Sequence, residues 1–263
     1  MEQQARAIVR MLRSHGHEAY WVGGCVRDRL LGLDLKDIDI ATDARPEDIE
    51  RIFDRVKFAG ASFVVSLVHY EGETFEVATF RKDGRYIDHR HPESVEYGTA
   101  EEDAQRRDFT INALFYDPER ERVIDYVGGT DDLKERIVRT VGEAERRFDE
   151  DALRLLRAIR FAARFDFRIE TKTWKALRRL APTIRFISPE RIREELTRML
   201  LDDKPSRAIR MLDDSGLLDI LLPEISATKG VEQGRTSHPE GDVFKHTLLC
   251  LDNLERRTPV ACW

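Results

Sequence analysis

The sequence predicts an α+β domain followed by an all-helical remainder. Up to about residue 130, short β-rich runs alternate with helical stretches, and FVVSLVHY-EGE-TFEVATF has the pattern of a hairpin. Beyond Asp131 the sequence shows only helical periodicity. A chain of 263 residues is also long enough for two domains.

Periodicity and turn residues predict the order of elements in the mixed domain. An amphipathic helix comes first, then a strand, a Gly-Gly turn, a short helix and a second strand. Their expected ranges are 2–15, 19–22, 23–24, 25–31 and 37–41. Pro46 begins another helix, and the hairpin follows it. Residues 81–104 are polar and aperiodic, which predicts a long loop of the kind that is usually functional or mobile.

The helical remainder contains four periodic segments. They are EAERRFDEDALRLLRAIRFAARF, TKTWKALRRLA, SPERIREELTRMLL and PSRAIRMLDDSGLLDILL. In the third segment, Ser188 is expected to be the N-cap and Pro189 to occupy the first helical position.

Charge is distributed unevenly along the chain. The net charge is −6, yet residues 134–198 contain 18 Lys and Arg against 11 Asp and Glu, a net of +7. The rest of the chain carries −13. A basic middle in an acidic chain either follows a phosphate backbone or forms a solvated helical surface.

Nothing in the sequence indicates secretion or membrane insertion. No apolar run approaches the ~20 residues that cross a bilayer, and the N-terminus lacks the apolar core of a signal peptide. Cys25, Cys250 and Cys262 are odd in number and widely spaced, which argues against a disulfide framework or a zinc cluster. We therefore expect a cytoplasmic protein without membrane contact, and the oligomeric state stays open.

Two aspartates stand in an otherwise apolar run. Asp37 and Asp39 are two residues apart, so on a strand they project from one face while Ile38 and Ile40 face the core. Adjacent carboxylates repel each other unless a cation lies between them. Mg²⁺ prefers carboxylates together with substrate phosphates, so the pair predicts a magnesium site for phosphoryl transfer.

A double glycine precedes these aspartates. Gly23 and Gly24 follow a strand and precede a helix, where backbone N–H groups can approach an anion. Arg27, one turn into the helix, can add a guanidinium to a triphosphate. A lone Gly-Gly is ordinarily a turn and a lone Asp-x-Asp ordinarily a strand edge, but their combination in one short stretch favours a nucleotide site.

The stretch GGCVRDRLLGLDLKDIDIAT resembles the signature of the class II nucleotidyltransferases of the DNA polymerase β superfamily. That family comprises the bacterial tRNA CCA-adding enzymes and their poly(A) polymerase relatives. The resemblance implies a polymerase-β-like head with a small mixed sheet. It also implies that Asp37 and Asp39 bind the catalytic metals, with Glu76 as the candidate third carboxylate. The residues implied to contact the incoming nucleotide are Gly23, Gly24 and Arg27.

Two further stretches resemble motifs of the same family. RRDFTINAL implies that Arg107 contacts the nucleotide, whereas Asp108 and Asn112 hold the local fold. SPERIREELTRML implies a helix that supports the nucleotide-binding helix and offers a surface for RNA.

The stretch EDALRLLRAIRFAARF is predicted to be a single amphipathic helix. Its apolar face comprises Ala152, Leu155, Leu156, Ile159 and Ala163, and the i+3 row around the other side comprises Asp151, Arg154, Arg157 and Arg160. Asp151 and Arg154 offer an acceptor beside a forked donor, which either imitates a base-pairing edge or forms an ordinary salt bridge on a solvated helix. In the family that this stretch resembles, an Asp and an Arg select CTP or ATP. Arg157 and Arg160 map onto further nucleotide contacts.

The resemblance also implies a division into domains. It places the head at residues 1–138, a helical neck with base recognition at 139–202, and a helical body at 203–263 that ends in the truncated start of a tail or HD-like region. His246 resembles the first histidine of an HD phosphohydrolase, but no His-Asp pair follows it, so we assign no hydrolase site.

The implied activity is template-independent addition of CCA to the tRNA 3′ end, with CTP, ATP and Mg²⁺. A CC-adding enzyme, an A-adding enzyme and a poly(A) polymerase are alternatives of the same class. A non-catalytic RNA-binding homologue is an alternative of another class, and the intact pair Asp37 and Asp39 argues against it.

Overall fold

The structure, a computed structural model, describes residues 1–59, 65–84, 93–234 and 239–254. Its described residues form two compact units, of which the first ends at Glu135 and the second begins at Arg136. The first unit is mixed and the second is mainly helical, as the sequence predicts. The finer division into a neck at 139–202 and a body at 203–263 stays a prediction.

The first unit contains five helices, nine strands and one 3-10 turn within the described ranges. In chain order they are α1 (Glu2–Ser14), β1 (Ala19–Val22), α2 (Gly24–Leu30), β2 (Asp39–Thr42), α3 (Pro46–Ile52), β3 (Val56–Ala59), β4 (Val65–Tyr70), β5 (Glu73–Thr79), β6 (Arg81–Asp83), β7 (Val95–Tyr97), α4 (Ala100–Gln105), the 3-10 turn Thr110–Asn112, β8 (Leu114–Asp117), β9 (Arg122–Asp125) and α5 (Gly129–Lys134).

A seven-stranded mixed sheet organises this unit, with the order β3-β4-β5-β2-β1-β8-β9. Strand β2 lies at its centre, antiparallel to β1 and parallel to β5. The apolar side chains of Trp21, Ile40, Val77 and Phe115 are buried in the core that the sheet forms. Helix α1 buries its apolar stripe as predicted, since Ala5, Ile8, Val9 and Leu12 are fully buried.

The predicted hairpin is confirmed. Strands β4 and β5 pair antiparallel, with Tyr70 opposite Glu73. The two residues between them, Glu71 and Gly72, have φ angles of 47° and 85°. Positive φ at both central residues is the requirement of the hairpin turn whose twist matches that of the strands.

The long loop expected at 81–104 is wrong in its described parts. Strands β6 and β7 pair antiparallel, and α4 begins at Ala100. Thr99 caps α4 by accepting a hydrogen bond from the Glu102 N–H, and Glu102 accepts one from the Thr99 N–H. This Thr-x-x-Glu capping box is a start signal that a polar, aperiodic stretch can hide. Residues 85–92 of the expected loop lie outside the described residues.

The second unit contains these described elements in chain order: β10 (Ile137–Val138), α6 (Ala144–Glu150), α7 (Leu153–Phe165), β11 (Arg168–Ile169), α8 (Thr171–Leu180), the 3-10 turn Ala181–Phe186, α9 (Pro189–Leu200), α10 (Pro205–Ser215), α11 (Leu217–Leu221), α12 (Pro223–Ser226) and α13 (Val243–Asn253). Strands β10 and β11 pair in parallel over two residues each, so this unit is not entirely helical. None of the helices in the described ranges combines the length and hydrophobicity needed to cross a bilayer.

The helix expected over 143–165 is interrupted at Asp151. Helix α6 ends at Glu150, α7 begins at Leu153, and Asp151 between them has extended backbone angles. Its Oδ1 accepts a hydrogen bond from the Leu153 N–H at 3.1 Å. An aspartate that satisfies the backbone of a new helix in this way competes with continuation of the previous one.

Candidate active site

The two aspartates occupy different positions relative to the central strand. Strand β2 begins at Asp39, so the expected strand over 37–41 is wrong at its start, and Asp37 is an exposed residue ahead of it. The reason is pairing: Asp39 lies opposite Val22, the last residue of β1, and the chain turns at Gly23. Ile38 and Ile40 are both buried, as the alternation predicts.

Glu76 lies beside Asp39 across the sheet. In the parallel pair of β2 and β5, Ile40 lies opposite Val77, which sets Asp39 and Glu76 one position earlier on neighbouring strands. Ile40 and Val77 are fully buried, so the two carboxylates project from the other face. The predicted third carboxylate therefore adjoins Asp39.

The carboxylates make this edge of the sheet strongly negative. Burial raises the pKa of Asp39 to about 6, the charges of Glu76 and Asp37 raise it too, and only Arg107 acts in the opposite direction. Burial is the largest cause of this raised pKa, and the opposing charge of Arg107 does not cancel it.

The carboxylates around Asp39 could bind a hard divalent cation, although they do not form a complete metal cage. Within the described ranges, no three or more His, Cys, Asp or Glu side chains are grouped in a way that could hold a metal ion. Mg²⁺ binds commonly through one or two carboxylates, water and substrate phosphates, without a full protein cage. The excess negative charge around Asp39 suits such a cation.

The double glycine lies against two guanidinium groups. A Cβ atom on Gly23 would stand 3.1 Å from Nη1 of Arg107, and one on Gly24 would stand 3.5 Å from Nη2 of Arg27. Gly23 also has a φ of 76°, which side chains rarely tolerate. The predicted turn thus places backbone without side chains against Arg27 and Arg107. Backbone N–H groups next to two guanidinium groups suit an anion.

Arg27 is held from inside the protein. It is buried, its Nη1 donates to Oδ1 of Asn112, and its Nε donates to Oδ1 of Asp28 at 2.8 Å. Asn112 in turn donates from Nδ2 to Oδ1 of Asp108 at 3.2 Å. These bonds are of the kind expected of Asp108 and Asn112 as residues that hold the local fold.

The carboxylate of Asp103, which the sequence did not indicate as a site residue, binds Arg107. Nε and Nη2 of Arg107 donate to Oδ2 of Asp103 at 3.1 and 2.9 Å, and Arg107 also lies over the Phe115 ring. The i,i+4 spacing of Asp103 and Arg107 would have shown this pair had residues 100–105 been recognised as a helix.

In the second unit, Asp151 and Arg154 have different partners. Oδ2 of Asp151 accepts a hydrogen bond from Nη2 of Arg191 at 2.8 Å. Nη1 of Arg154 donates to Oε2 of Glu150 at 2.7 Å and to the carbonyl oxygen of Arg147 at 2.8 Å. Asp151 precedes α7, so it does not belong to the predicted i+3 row of helical residues. That row begins at Arg154.

Three of the four arginines of α7 are at least partly buried, and only Arg164 is exposed. Arg154 and Arg160 are buried, and Arg157 is half-buried. Nε of Arg160 donates to Oε2 of the buried Glu195 in α9 at 2.6 Å, and Nη1 of Arg157 lies 3.9 Å from Oε1 of the same residue. Burial lowers the pKa of Arg160, although the charge of Glu195 opposes the shift. The solvated-helix alternative is therefore wrong for Arg154 and Arg160.

A mixed sheet with carboxylates at the start of its central strand, and arginines around a double-glycine turn, defines a nucleotidyltransferase head. Residues 19–139 match the family model of the poly A polymerase head domain. Residues 166–229 match that of the probable RNA and SrmB-binding site of polymerase A. The chain belongs to the poly A polymerase family of nucleotidyltransferases.

Relatives in this family carry the name CCA-adding enzyme. That of Geobacillus thermodenitrificans is 45% identical over 216 residues, which is 82% of this chain and 53% of the relative. That of Pediococcus pentosaceus is 38% identical over 262 residues, 99% of this chain and 64% of the relative. The chain thus spans between about half and two thirds of these relatives.

Solved structures of CCA-adding enzymes share the fold. The Bacillus stearothermophilus enzyme in complex with CTP matches with a TM-score of 0.76 and 42% identity, over 82% of this chain and 52% of that one. The Thermotoga maritima enzyme complexed with tRNA matches with a TM-score of 0.69 and 29% identity, over 83% and 51%. The predicted family and fold are confirmed, whereas the roles of the individual site residues stay predictions.

The raised pKa of Asp39 predicts a pH-dependent cost in stability. Ionisation is harder in the folded than in the unfolded chain, so stability present below about pH 4 is lost as the pH rises through about 6. In metal-free buffer, Asp39→Asn should raise the free energy of unfolding by about 1–3 kcal/mol at pH 8 and by much less at pH 4.5. Urea denaturation at both pH values measures this gain.

The exposed Asp34 in the same segment provides the control. Asp34→Asn should change stability by less than about 0.5 kcal/mol at either pH. If Asp39→Asn raised the free energy of unfolding equally at pH 4.5 and pH 8, ionisation of the Asp39 carboxylate would not be the cause of the lower stability.

Proposed function

We propose that the chain is a template-independent RNA nucleotidyltransferase that adds CCA to the tRNA 3′ end from CTP and ATP by two-metal nucleotidyl transfer. The observation that carries the proposal is geometric: the β2–β5 register sets Asp39 beside Glu76. Asp39 also lies opposite Val22, directly before the double-glycine turn that Arg107 contacts. The relatives named CCA-adding enzymes, and their structures in complex with CTP and with tRNA, support the choice of substrates.

Asp37 and Asp39 are the proposed ligands of Mg²⁺, with Glu76 as the third carboxylate. The bound metal would activate the attacking RNA hydroxyl and neutralise the leaving pyrophosphate. The carboxylates themselves form a fixed, negatively charged group at the start of the central strand, because β1 and β5 hold the backbone of β2 on both sides.

Gly23, Gly24, Arg27 and Arg107 are the proposed binding site for the triphosphate. The RNA 3′-hydroxyl loses its proton to water, and its oxygen forms a bond to the α-phosphorus. The bond between the α-phosphorus and the oxygen that bridges it to the β-phosphorus breaks, and pyrophosphate leaves with that oxygen. Arg27 and Arg107 are both anchored by hydrogen bonds, so little side-chain entropy is lost when they bind an anion. That preorganisation supports their role.

Asp151 and Arg154 are proposed to select the base, with Arg157 and Arg160 as further nucleotide contacts. Arg191 and the Leu153 N–H fix Asp151, and Glu150 fixes Arg154. A protein edge can discriminate between bases only if its donors and acceptors keep their orientation, so this fixing supports the proposal.

The proposed RNA surface lies in the second unit. From Thr171 to Phe186 the sequence has five basic residues and no acidic residue. All five are exposed, and Phe186 at the end of the segment is 68% exposed. They are Lys172, Lys175, Arg178, Arg179 and Arg185. Exposed cations beside an exposed aromatic ring suit phosphates and a stacked base.

A cytoplasmic location is part of the proposal. Of the three cysteines, the described Cys25 and Cys250 are both free. Unpaired cysteines fit a reducing compartment, in which disulfides are rare.

Incorporation of labelled CTP and ATP into three tRNAs tests the function. The tRNAs end before the CCA, after CC, and after the complete CCA. We expect CCA on the first, a single A on the second and nothing on the third. Addition of CC alone, of A alone or of a long A tail would instead identify one of the related activities.

The same assay tests the metal-binding role of Asp39. Asp39→Ala should lower incorporation at least about a hundredfold at saturating Mg²⁺, because a catalytic metal stabilises the transition state by several kcal/mol. The variant should remain folded, since removal of one of the repelling carboxylates relieves their repulsion. Near-normal turnover by folded Asp39→Ala would refute the assignment.

A change of Arg154 tests base selection. Arg154→Ala should lower the preference for CTP and ATP over UTP and GTP by roughly one to two powers of ten, since a bidentate contact contributes ~1–3 kcal/mol of discrimination. Glu150 keeps its ion pair with Arg147, so the fold should survive. Single-nucleotide addition with each triphosphate measures the preference.

Arg164 on the same helix is exposed and serves as the control. Arg164→Ala should leave the preference unchanged. If Arg154→Ala also kept the wild-type preference for CTP and ATP, the role of Arg154 would be a structural salt bridge only.

A further inference from the structure

We infer that Asp103 is a positioning residue for nucleotide binding, whose buried carboxylate fixes the Arg107 guanidinium against the double-glycine turn. The inference rests on the proposed function, because it assumes that Arg107 contacts the triphosphate. Asp103 lies in α4, outside the stretches that resemble family motifs.

One carboxylate binds two adjacent arginines. Oδ2 of Asp103 accepts hydrogen bonds from Nε and Nη2 of Arg107 at 3.1 and 2.9 Å. Oδ1 accepts from Nε and Nη2 of Arg106 at 2.9 and 2.6 Å. Since each oxygen is engaged by a fork of two donors, the carboxylate cannot rotate without loss of bonds to one arginine.

The fixed guanidinium presents its remaining nitrogen to the glycine turn. Nη1 of Arg107 lies 3.5 Å from the carbonyl oxygen of Asn112, beyond the length of a strong hydrogen bond. It also lies 3.1 Å from the position that a Cβ of residue 23 would take. Asp103 therefore determines which edge of Arg107 faces Gly23.

Asp103 stays charged although it is buried. Asp103 is only 1% exposed, and burial by itself would raise its pKa, but the charges and hydrogen bonds of Arg107 and Arg106 hold its pKa below the ordinary value. The carboxylate thus stays ionised and neutralises only one of the two guanidinium charges, so Arg107 remains available to an anion. Apolar packing would serve stability at least as well as a buried charged group, so this arrangement suits a binding role.

Equilibrium binding of CTP with Mg²⁺, in the absence of RNA, tests the inference on the full chain. Asp103→Asn keeps the shape of the side chain but removes the charge and offers a donor to one of the arginines. We expect CTP to bind about tenfold more weakly or worse, the effect of a lost hydrogen bond to a charged group. The KM for tRNA should be unchanged, which a general loss of structure would not permit.

A double-mutant cycle separates positioning from stability. If Asp103 acts through Arg107, then Asp103→Asn should weaken CTP binding little further in an Arg107→Ala background. Independent, additive effects would overturn the inference. Asp117 is the control, because it is also a buried carboxylate of the first unit paired with an arginine, Arg13. Asp117→Asn should cost stability without a change in CTP affinity.

A second substitution covers a failure of Asp103→Asn to fold. Asp103→Glu keeps the charge but moves the oxygens by about one methylene, so it should fold and still bind CTP about tenfold more weakly. Wild-type affinity in either folded variant overturns the inference and leaves the proposed function standing. Wild-type protein that binds CTP but extends no tRNA refutes the transfer reaction alone, whereas wild type that binds no CTP overturns both.

Discussion

The parallel pairing of β2 with β5 sets Asp39 beside Glu76, and this placement of two carboxylates on neighbouring strands is the constraint on which the candidate site depends. The apolar side chains on the opposite face, Ile40 and Val77, anchor both strands in the core. Two carboxylates would ordinarily move apart, but here the sheet holds their backbones at a fixed distance. The resulting charge can be relieved only by protonation or by a cation.

In both units a buried carboxylate binds an arginine that is a predicted site residue. Asp103 binds Arg107 in the first unit, and Glu195 binds Arg160 in the second. Buried ion pairs of this kind contribute little net stability, because desolvation offsets much of their attraction. What they provide is orientation: a guanidinium that donates to a buried carboxylate keeps its remaining N–H groups in place.

Local patterns predicted much of the fold, and contacts between distant segments account for most of what was missed. The burial of Ile38 and Ile40 and the β4–β5 hairpin follow from alternation and turn residues. The Arg160–Glu195 pair joins residues 35 positions apart and forms only where α9 packs on α7. The two-residue strands β10 and β11 are too short to show a period.

Two of the differences between prediction and structure have local causes that the sequence itself signals. The capping box at Thr99 marks a helix start inside the stretch taken for a loop, and with it the pairing of Asp103 and Arg107. Asp151 is a residue type that favours caps over helix interiors, which explains the break between α6 and α7. Among the predicted site residues of the first unit, Gly23, Arg107, Asp39 and Glu76 are linked by contacts or charge. Asp37 also acts on Asp39 through its charge, although it is an exposed residue ahead of the strand.

The most direct test of this account is a measurement of the Asp39 pKa with and without Mg²⁺. Carbon NMR of the side-chain carboxyl groups, with Asp39→Asn to assign the signal, can follow the titration of this residue in metal-free buffer. The account predicts a pKa of about 6 without metal, and a fall in that pKa when Mg²⁺ is added. A pKa near the ordinary 3.8 without metal, or one that Mg²⁺ leaves unchanged, would contradict it.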